Sequence, residues 1–494
     1  MPGERRLQAQ AELGGQHRAR GSPGVSPWLV LGIVVLAASL VGIGAMVVLR
    51  SLQGDGSGAA RRPDLTPTPA RAAPGDFAVG KQGPAGESSA TPTTSGGSAA
   101  PDLSPPSGSG SGPPFNPSAP AAKPDGSAPA GAPSPPTSPL DQAVAEAISR
   151  LTTDEDRVGQ LLLLGWIGSS AEEARPALRD LRAGGIVFVQ NISTGAEARA
   201  INQRLKQISR DTNLLEPLIA IDHEGGIVQR IRDVKNEGSN WDFAARGPSD
   251  AQACQRGLSH AQTLSELGFS MNLAPVLDVN NNPANPVIGK RSYSDDAQVV
   301  ARLGAAYIKG LQSGGVAAVG KHFPGHGNTS VDSHLGLPSL PQTIDDLERI
   351  ELVPFRRAIE ADVAGIMSAH IVFPAVDSSG DPATLSRSVM TGLLREKLGF
   401  KGLAVSDDMG AMKAITDNYT PGDAAAKAVQ GGVDLLILSA ELSRQREARD
   451  ALLEAVRDGR ISRERLDEAV RNVLTVKARF GLLGAPAQSG GGCP

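Results

Sequence analysis

The sequence predicts an α/β fold, a single parallel (β/α)8 TIM barrel, on three observations. Eight short apolar runs recur along residues 139–484, and each ends at or near a polar residue. Each run is then followed by a longer stretch with apolar residues at helical spacing. Uncharged runs of this kind suit strands buried on both faces, and their alternation with helices is that of βα units in a parallel sheet. The third observation favours a closed barrel over an open doubly wound sheet: the first βα turn carries no Gly-rich phosphate-binding fingerprint.

The elements follow in chain order. Asp141 to Leu151 places Ala143, Val144, Ala147, Ile148 and Leu151 at helical spacing, and Thr152-Thr153-Asp154-Glu155-Asp156 supplies capping hydroxyls and first-turn acids for a second short helix. Strands are expected at Leu161–Leu164, at Gly185–Val189 ending in Gln190-Asn191, at Leu218–Ile221 ending in Asp222, and at Met271–Pro275 ending near Asp278. The next four are Val316–Gly320 ending at Lys321, Gly365–Ser368 ending at His370, Leu403–Ser406 ending at Asp407, and Leu435–Leu438 ending at Ser439. Ile461–Phe480 is the amphipathic stretch that closes the barrel, and residues 485–494 read as a flexible tail. No second folded domain is expected to donate a catalytic group.

Ahead of the barrel, Trp28–Leu49 is an uncharged run rich in Leu, Val, Ile, Ala and Gly, long enough to span a bilayer as a helix. A cleavable signal peptide has a shorter apolar region and a small-residue cleavage site. An uncleaved transmembrane anchor at 28–49 is therefore expected, with 1–27 as a short N-terminal tail. Residues 50–138 are rich in Pro, Gly, Ser, Ala and Thr and cannot bury enough apolar surface to offset their ordering entropy. They are expected to form a disordered linker. The localisation that follows is the cell membrane, single-pass, with the catalytic domain on the extracytoplasmic side.

Composition limits the partners. The net charge is −4 and no basic stripe marks the later two-thirds, so a nucleic-acid partner has no electrostatic support and none is expected. Cys254 and Cys493 are too few for a disulfide framework and form no CxxC site, which leaves unpaired thiols as an open reading. Aromatic residues make up 3% of the chain, which favours a small pocket over a long stacking groove. A monomer is expected.

The densest chemistry lies in Lys321-His322-Phe323-Pro324-Gly325-His326-Gly327-Asn328-Thr329, running on to Asp332-Ser333-His334, which holds three of the seven histidines. Pro324, Gly325 and Gly327 oppose a helix, so this is a loop at the end of a buried strand. Five strand ends then offer ionisable groups: Asp222, Asp278, the Lys321-His322 pair, His370 and Asp407. Asp407, after an apolar run, suits a nucleophile attacking an anomeric carbon; the competing role is helix capping. Asp332 is spaced to orient the His334 imidazole for proton transfer, against a simple turn cap beside a solvated ring. His322, His326, His334 and Asp332 also raise a metal site, but Pro-Gly between the first two removes the helical spacing that HxxxH ligation uses. No metal and no cofactor is expected. Asp222, with Glu224-Gly225-Gly226 and Arg230, reads either as a binding turn or as a surface ion pair.

Together these residues resemble glycoside hydrolase family 3, in its bacterial β-N-acetylglucosaminidase branch, over about residues 140–482. Val158-Gly159-Gln160-Leu161 is similar to the opening of that family's barrel, and Asp222 with Glu224-Gly225-Gly226 and Gln229-Arg230 to its first substrate-binding motif. Ile288-Gly289-Lys290-Arg291-Ser292-Tyr293 resembles the second, and Lys321 to Gly327 with Asp332-Ser333-His334 resembles the signature of the branch. Ser406-Asp407 matches the nucleophile position. The resemblance implies a catalytic set of Asp407 as nucleophile and His334, oriented by Asp332, as acid and base. It implies that Asp222, Arg230, Arg291, Lys321, His322 and His370 bind substrate. Relatives often carry glutamine and arginine at the positions of His223 and Ile227, and aspartate at that of Asn328. The expected activity is exo-acting, retaining hydrolysis of terminal non-reducing N-acetylglucosamine from peptidoglycan-derived glycans. A phosphorylase or a β-glucosidase of the same family is the alternative.

Overall fold

The computed structural model describes residues 138–166, 168, 170–439, 441–484 and 492–493. Eight parallel strands close into a barrel in which every strand neighbours the next in sequence and the last pairs with the first. They are β1 (Leu162–Trp166), β2 (Gly185–Phe188), β3 (Leu218–Ile221), β4 (Met271–Asn272), β5 (Ala317–Phe323), β6 (Gly365–Ser368), β7 (Leu403–Asp408) and β8 (Leu435–Leu438). The expected (β/α)8 barrel is present. β4 is shorter than the apolar run that encodes it, because Pro275 has no N–H to donate. Its chain still runs alongside β5, accepting from Val319 N–H at Ala274 O and from Lys321 N–H at Pro275 O.

Side chains alternate across the strands with period two. Leu163, Val187, Ala220, Val319, Val405 and Ile437 fill the barrel interior, while their neighbours Leu164, Ile186, Ile221, Ala318, Ala404 and Leu436 belong to the layer between strands and helices. That outer layer is covered by α1 (Pro139–Arg150), α2 (Asp154–Gln160), α3 (Arg175–Leu181), α4 (Gly195–Asp211), α5 (Asp250–Glu266), α6 (Ala297–Ser313) and α7 (Leu352–Glu360). It is completed by a wide helical segment at Ser388–Lys397, then α8 (Pro421–Gly431), α9 (Leu442–Arg457) and α10 (Arg463–Arg479). The acids foreseen before β1 act as caps: Thr153 and Asp156 form a reciprocal capping box on α2. Val473 and Val476 of α10, with Phe480, join the interior residues at the N-terminal end of the barrel and leave the opposite mouth for the site.

One expectation is corrected and one open reading is closed. The barrel helices are amphipathic: α4, for one, buries only the face of Ala198, Ile201, Leu205 and Ile208. Among the described residues no helix is long and apolar enough to cross a membrane, so the cell-membrane localisation has no described element to carry it and is withdrawn. The anchor expected at 28–49 and the linker up to residue 137 lie outside the described residues. The two cysteines are not unpaired thiols. Cys254 on α5 and Cys493 form a disulfide across 239 residues, and Cys254 packs with Val279, Tyr293, Val300 and Leu303 beneath the segment that follows β4.

Candidate active site

The strand periodicity delivers the site. Continuing two residues beyond Ala220, Val319, Val405 and Ile437 gives Asp222, Lys321, Asp407 and Ser439, so all four enter the barrel mouth on the interior side. They line a cavity of about 480 Å³ together with Glu224, Arg230, Arg291, His322, His326, His334 and Asp408. Apolar walls come from Val187, Val189, Leu273, Met367, Met412 and Ile437. β5 is irregular at this point, with a register shift between Lys321 and Phe323, which lets the consecutive side chains of Lys321 and His322 both face the cavity.

One wall is a cluster of alternating charge. Lys321 Nζ lies 2.6 Å from Asp222 Oδ1 and 2.7 Å from Glu224 Oε1. Arg291 grips the same Glu224 with two parallel bonds, Nη2 to Oε1 at 2.8 Å and Nε to Oε2 at 2.9 Å. Arg230 Nη2 stands 3.8 Å from Asp222 Oδ2, and its Nε is buried with no hydrogen-bond partner among the described residues. Burial alone raises a carboxyl's pKa, but at Glu224 the adjacent Arg291 and Lys321 outweigh it and hold the group well below the usual range. At Lys321 burial pushes the pKa down, and Asp222 and Glu224 more than restore it, so the ammonium stays charged. Glu224 sits on the short hairpin His223–Gly225/Val228–Gln229, which turns through Gly225 and Gly226, both at positive φ.

Opposite this cluster stand two consecutive carboxylates at the end of β7. Asp407 Oδ1 accepts the Asp408 N–H at 2.8 Å and has no side-chain partner among the described residues. Burial raises its pKa, and the imidazoles of His322 and His370, the Asp408 N–H and Lys321 reverse this, taking it down to about 2. Asp408 is raised, chiefly by burial. Its carboxylate accepts from Gly410 N–H and Ser439 N–H, both at 2.9 Å, and from the Ser439 hydroxyl.

The imidazole of His334 comes from the loop after β5. Asp332 Oδ1 lies 2.8 Å from both the main-chain nitrogen and the Nδ1 of His334, which leaves Nε2 free toward the cavity that the ring lines. The loop is seated by Ser333. Its hydroxyl lies 3.0 Å from His326 Nε2, and its carbonyl accepts Ala414 N–H at 3.3 Å. His326 is 1% exposed, and burial, followed by repulsion from His322, lowers its pKa to about 4. It is neutral near pH 7. Gly327 is required here, since a Cβ would come 1.6 Å from Val279 O.

Of the expected residues, Asp407, His334, Asp222, Arg230, Arg291, Lys321 and His322 line one cavity, and Asp332 stands directly behind His334. His370 is not in the lining. Met367 faces the interior, so Ser368 and His370 face the other way; His370 is fully buried, with Nδ1 2.8 Å from Thr384 Oγ1 and Nε2 3.3 Å from Asp408 O. The structure places this expected substrate-binding residue behind the β7 strand end. The sequence reading left Glu224, Asp408 and Asp278 off the list of site residues. Glu224 shares the parity of Asp222 and belongs to the same motif, two signals that mark it.

A parallel barrel whose mouth brings an ionised carboxylate and a carboxylate-backed imidazole into one cavity has the parts for nucleophilic attack and proton transfer. A family model described as Glycosyl hydrolase family 3 N terminal domain matches residues 152–476, and the chain belongs to that family. A β-hexosaminidase A of Pseudoalteromonas piscicida is 35% identical over 60% of this chain and 53% of its own length. A β-hexosaminidase, LpqI, of Mycobacterium tuberculosis is 31% identical over 70% of this chain and 88% of its own. A solved glycoside hydrolase family 3 β-N-acetylglucosaminidase from Paenibacillus sp. str. FPU-7 superposes with a TM-score of 0.66 at 42% identity, covering 68% of this chain and 64% of that one. The chain thus spans little more than half of the first of these relatives.

Proposed function

We propose that the protein is an exo-acting, retaining β-N-acetylglucosaminidase that removes terminal non-reducing N-acetylglucosamine from peptidoglycan-derived glycans. The observation that carries this reading is that Asp407 and His334 line the same cavity while Asp332 holds the ring of His334 at 2.8 Å. Asp407, ionised and without a side-chain partner among the described residues, is the nucleophile; it attacks the anomeric carbon and forms a glycosyl-enzyme intermediate. His334 Nε2 gives its proton to the leaving oxygen and then takes one from the attacking water, so two displacements return the original configuration. Asp222, Arg230, Arg291, Lys321 and His322 bind the sugar hydroxyls and the N-acetyl group, and the unpartnered Arg230 Nε supplies a donor awaiting an acceptor. A cavity of about 480 Å³ suits one terminal hexosamine better than a run of sugars inside a chain, which supports exo action. The names of the relatives support the hexosamine, and the peptidoglycan source follows from the resemblance to the bacterial branch.

The test is turnover of an aryl β-N-acetylglucosaminide followed by ¹H NMR, with and without phosphate. Release of the β-anomer first, independent of phosphate, is expected. A sugar 1-phosphate would replace hydrolysis by phosphorolysis, and equal or better turnover of the aryl glucoside would replace the hexosamine by glucose.

A further inference from the structure

Asp278 is fully buried and lies outside the cavity lining, yet its carboxylate meets two parts of the site. Oδ2 lies 2.7 Å from His322 Nδ1, while Oδ1 accepts the main-chain N–H of His322 at 3.1 Å and that of His326 at 2.7 Å. Its own carbonyl accepts the Ser292 hydroxyl at 2.6 Å, one residue beyond Arg291. His322 Nε2 makes no hydrogen bond among the described residues, although the ring lines the cavity. An ionised carboxylate only accepts hydrogen bonds, and Asp278 is ionised: burial raises its pKa, but His322 and His326 outweigh it and hold the group below its ordinary range.

We propose that Asp278 is a positioning residue for the reaction: it holds a proton on His322 Nδ1, fixes the plane of the ring and so aims Nε2 at the bound sugar. Its other oxygen anchors the main chain where the catalytic loop leaves β5, so one buried group sets both the binding imidazole and the root of the loop that carries His334. The inference rests on the functional reading above for its substrate, but not for its geometry.

Asp278→Asn separates the two duties. The amide oxygen can keep both main-chain bonds, while the amide nitrogen replaces Oδ2 and turns a donor toward Nδ1, which moves the ring proton to the other nitrogen. The ¹⁵N spectrum of the wild-type ring is expected to show Nδ1 protonated, and that of the variant Nδ1 unprotonated, at a closely similar melting temperature. On an aryl N-acetylglucosaminide, Asp278→Asn is expected to lower kcat/KM about 10- to 100-fold. Added to His322→Ala, it should lower kcat/KM little further. Multiplying losses in the double variant, or a wild-type ring unprotonated at Nδ1, overturn the proposal. Should Asp278→Asn fail to fold, the wild-type spectrum alone decides. A wild-type protein that cleaves no N-acetylglucosaminide defeats the functional reading, and the ring spectrum still judges Asp278.

Discussion

Asp407 and Asp408 are adjacent in sequence, and the barrel drives their carboxyl groups in opposite directions. Asp407 is held down to about 2 and accepts only the Asp408 N–H among the described residues, while Asp408 is raised and tied to Gly410 and Ser439. Neighbouring carboxyls with divergent environments mark a division of labour. On the proposed reading Asp407 is the nucleophile, and Asp408, bonded to Gly410 and Ser439, holds the strand end that presents it.

Asp407→Ala is therefore expected to lower kcat by about ten-thousandfold or more, with KM little changed. Asp408→Asn, whose amide oxygen can still accept from Ser439 and Gly410, should keep kcat within about tenfold. The sign of the shift also sets a pH expectation. A carboxyl lowered from 3.8 to about 2 adds stability that is complete above pH 3.8 and is lost as pH falls toward 2. Since Asp407 stays ionised throughout the mildly acid range, an acid limb with its midpoint above pH 4 in the kcat/KM profile belongs to another group. A profile whose acid limb disappears on a change at Asp408 would reverse the assignment.

His334 is half-exposed, and among the described residues Asp332 alone meets its Nδ1. His334→Ala is expected to cut turnover about 10²- to 10⁴-fold for leaving groups that need protonation. An activated dinitrophenyl substrate should fall by much less. Asp332→Ala should follow the same pattern with a smaller loss, because the ring survives without its orienting carboxylate. Equal losses on both substrates would remove His334 as the acid.

Glu224 is 2% exposed and serves two cations, Lys321 and Arg291. Its removal leaves both charges buried and uncompensated, so Glu224→Ala is expected to destabilise the fold by about 3–5 kcal/mol. KM should rise as the two donors lose their fixed directions. Breaking the solvated Asp346–Arg349 pair on the surface should leave the unfolding midpoint unchanged. Calorimetry on the two variants compares the cases, and similar midpoints would mean that the cluster at the mouth is not a stabilising unit.

How far the sequence could be read follows from where each residue sits relative to a strand. Asp222, Lys321 and Asp407 continue the period of two from Ala220, Val319 and Val405, so apolar runs ending in a polar residue were enough to find them. The same rule, applied to parity rather than to strand ends, turns His370 away from the cavity; a strand end alone does not say which face a residue takes. His322 escapes the rule through the register shift in β5, which no pattern announces. Asp278 lies in the irregular segment after β4, where periodicity has stopped, and its worth appears only once His322 and His326 are folded onto it. The Cys254–Cys493 pair joins points 239 residues apart, a distance over which no local signal reaches.

His223 lies between the two site carboxylates of Asp222 and Glu224 but points the other way, into the protein. It is 1% exposed, its Nδ1 has no hydrogen-bond partner among the described residues, and its ring meets His260 edge-on at 4.9 Å. Asn272 grips its main chain on both sides, accepting from its N–H and donating to its carbonyl at 2.9 Å each. Burial lowers the pKa of the ring, partly offset by Glu237 and reinforced by Arg256, from 6.5 to about 4. Between these two values the unfolded chain binds a proton that the folded chain refuses, so stability falls as pH drops from 6.5 to about 4 and is flat with respect to this group below that. The loss from one such ring is on the order of 3 kcal/mol. His260 and His326 act with the same sign. Glutamine, which relatives often carry at this position, cannot titrate and leaves the Asn272 contacts to the main chain in place. Melting temperatures of the wild type and of His223→Gln between pH 8 and pH 4 should therefore converge or cross toward the acid end, with the variant the less steep of the two. Parallel curves over the whole range would mean that this ring accepts its proton inside the fold.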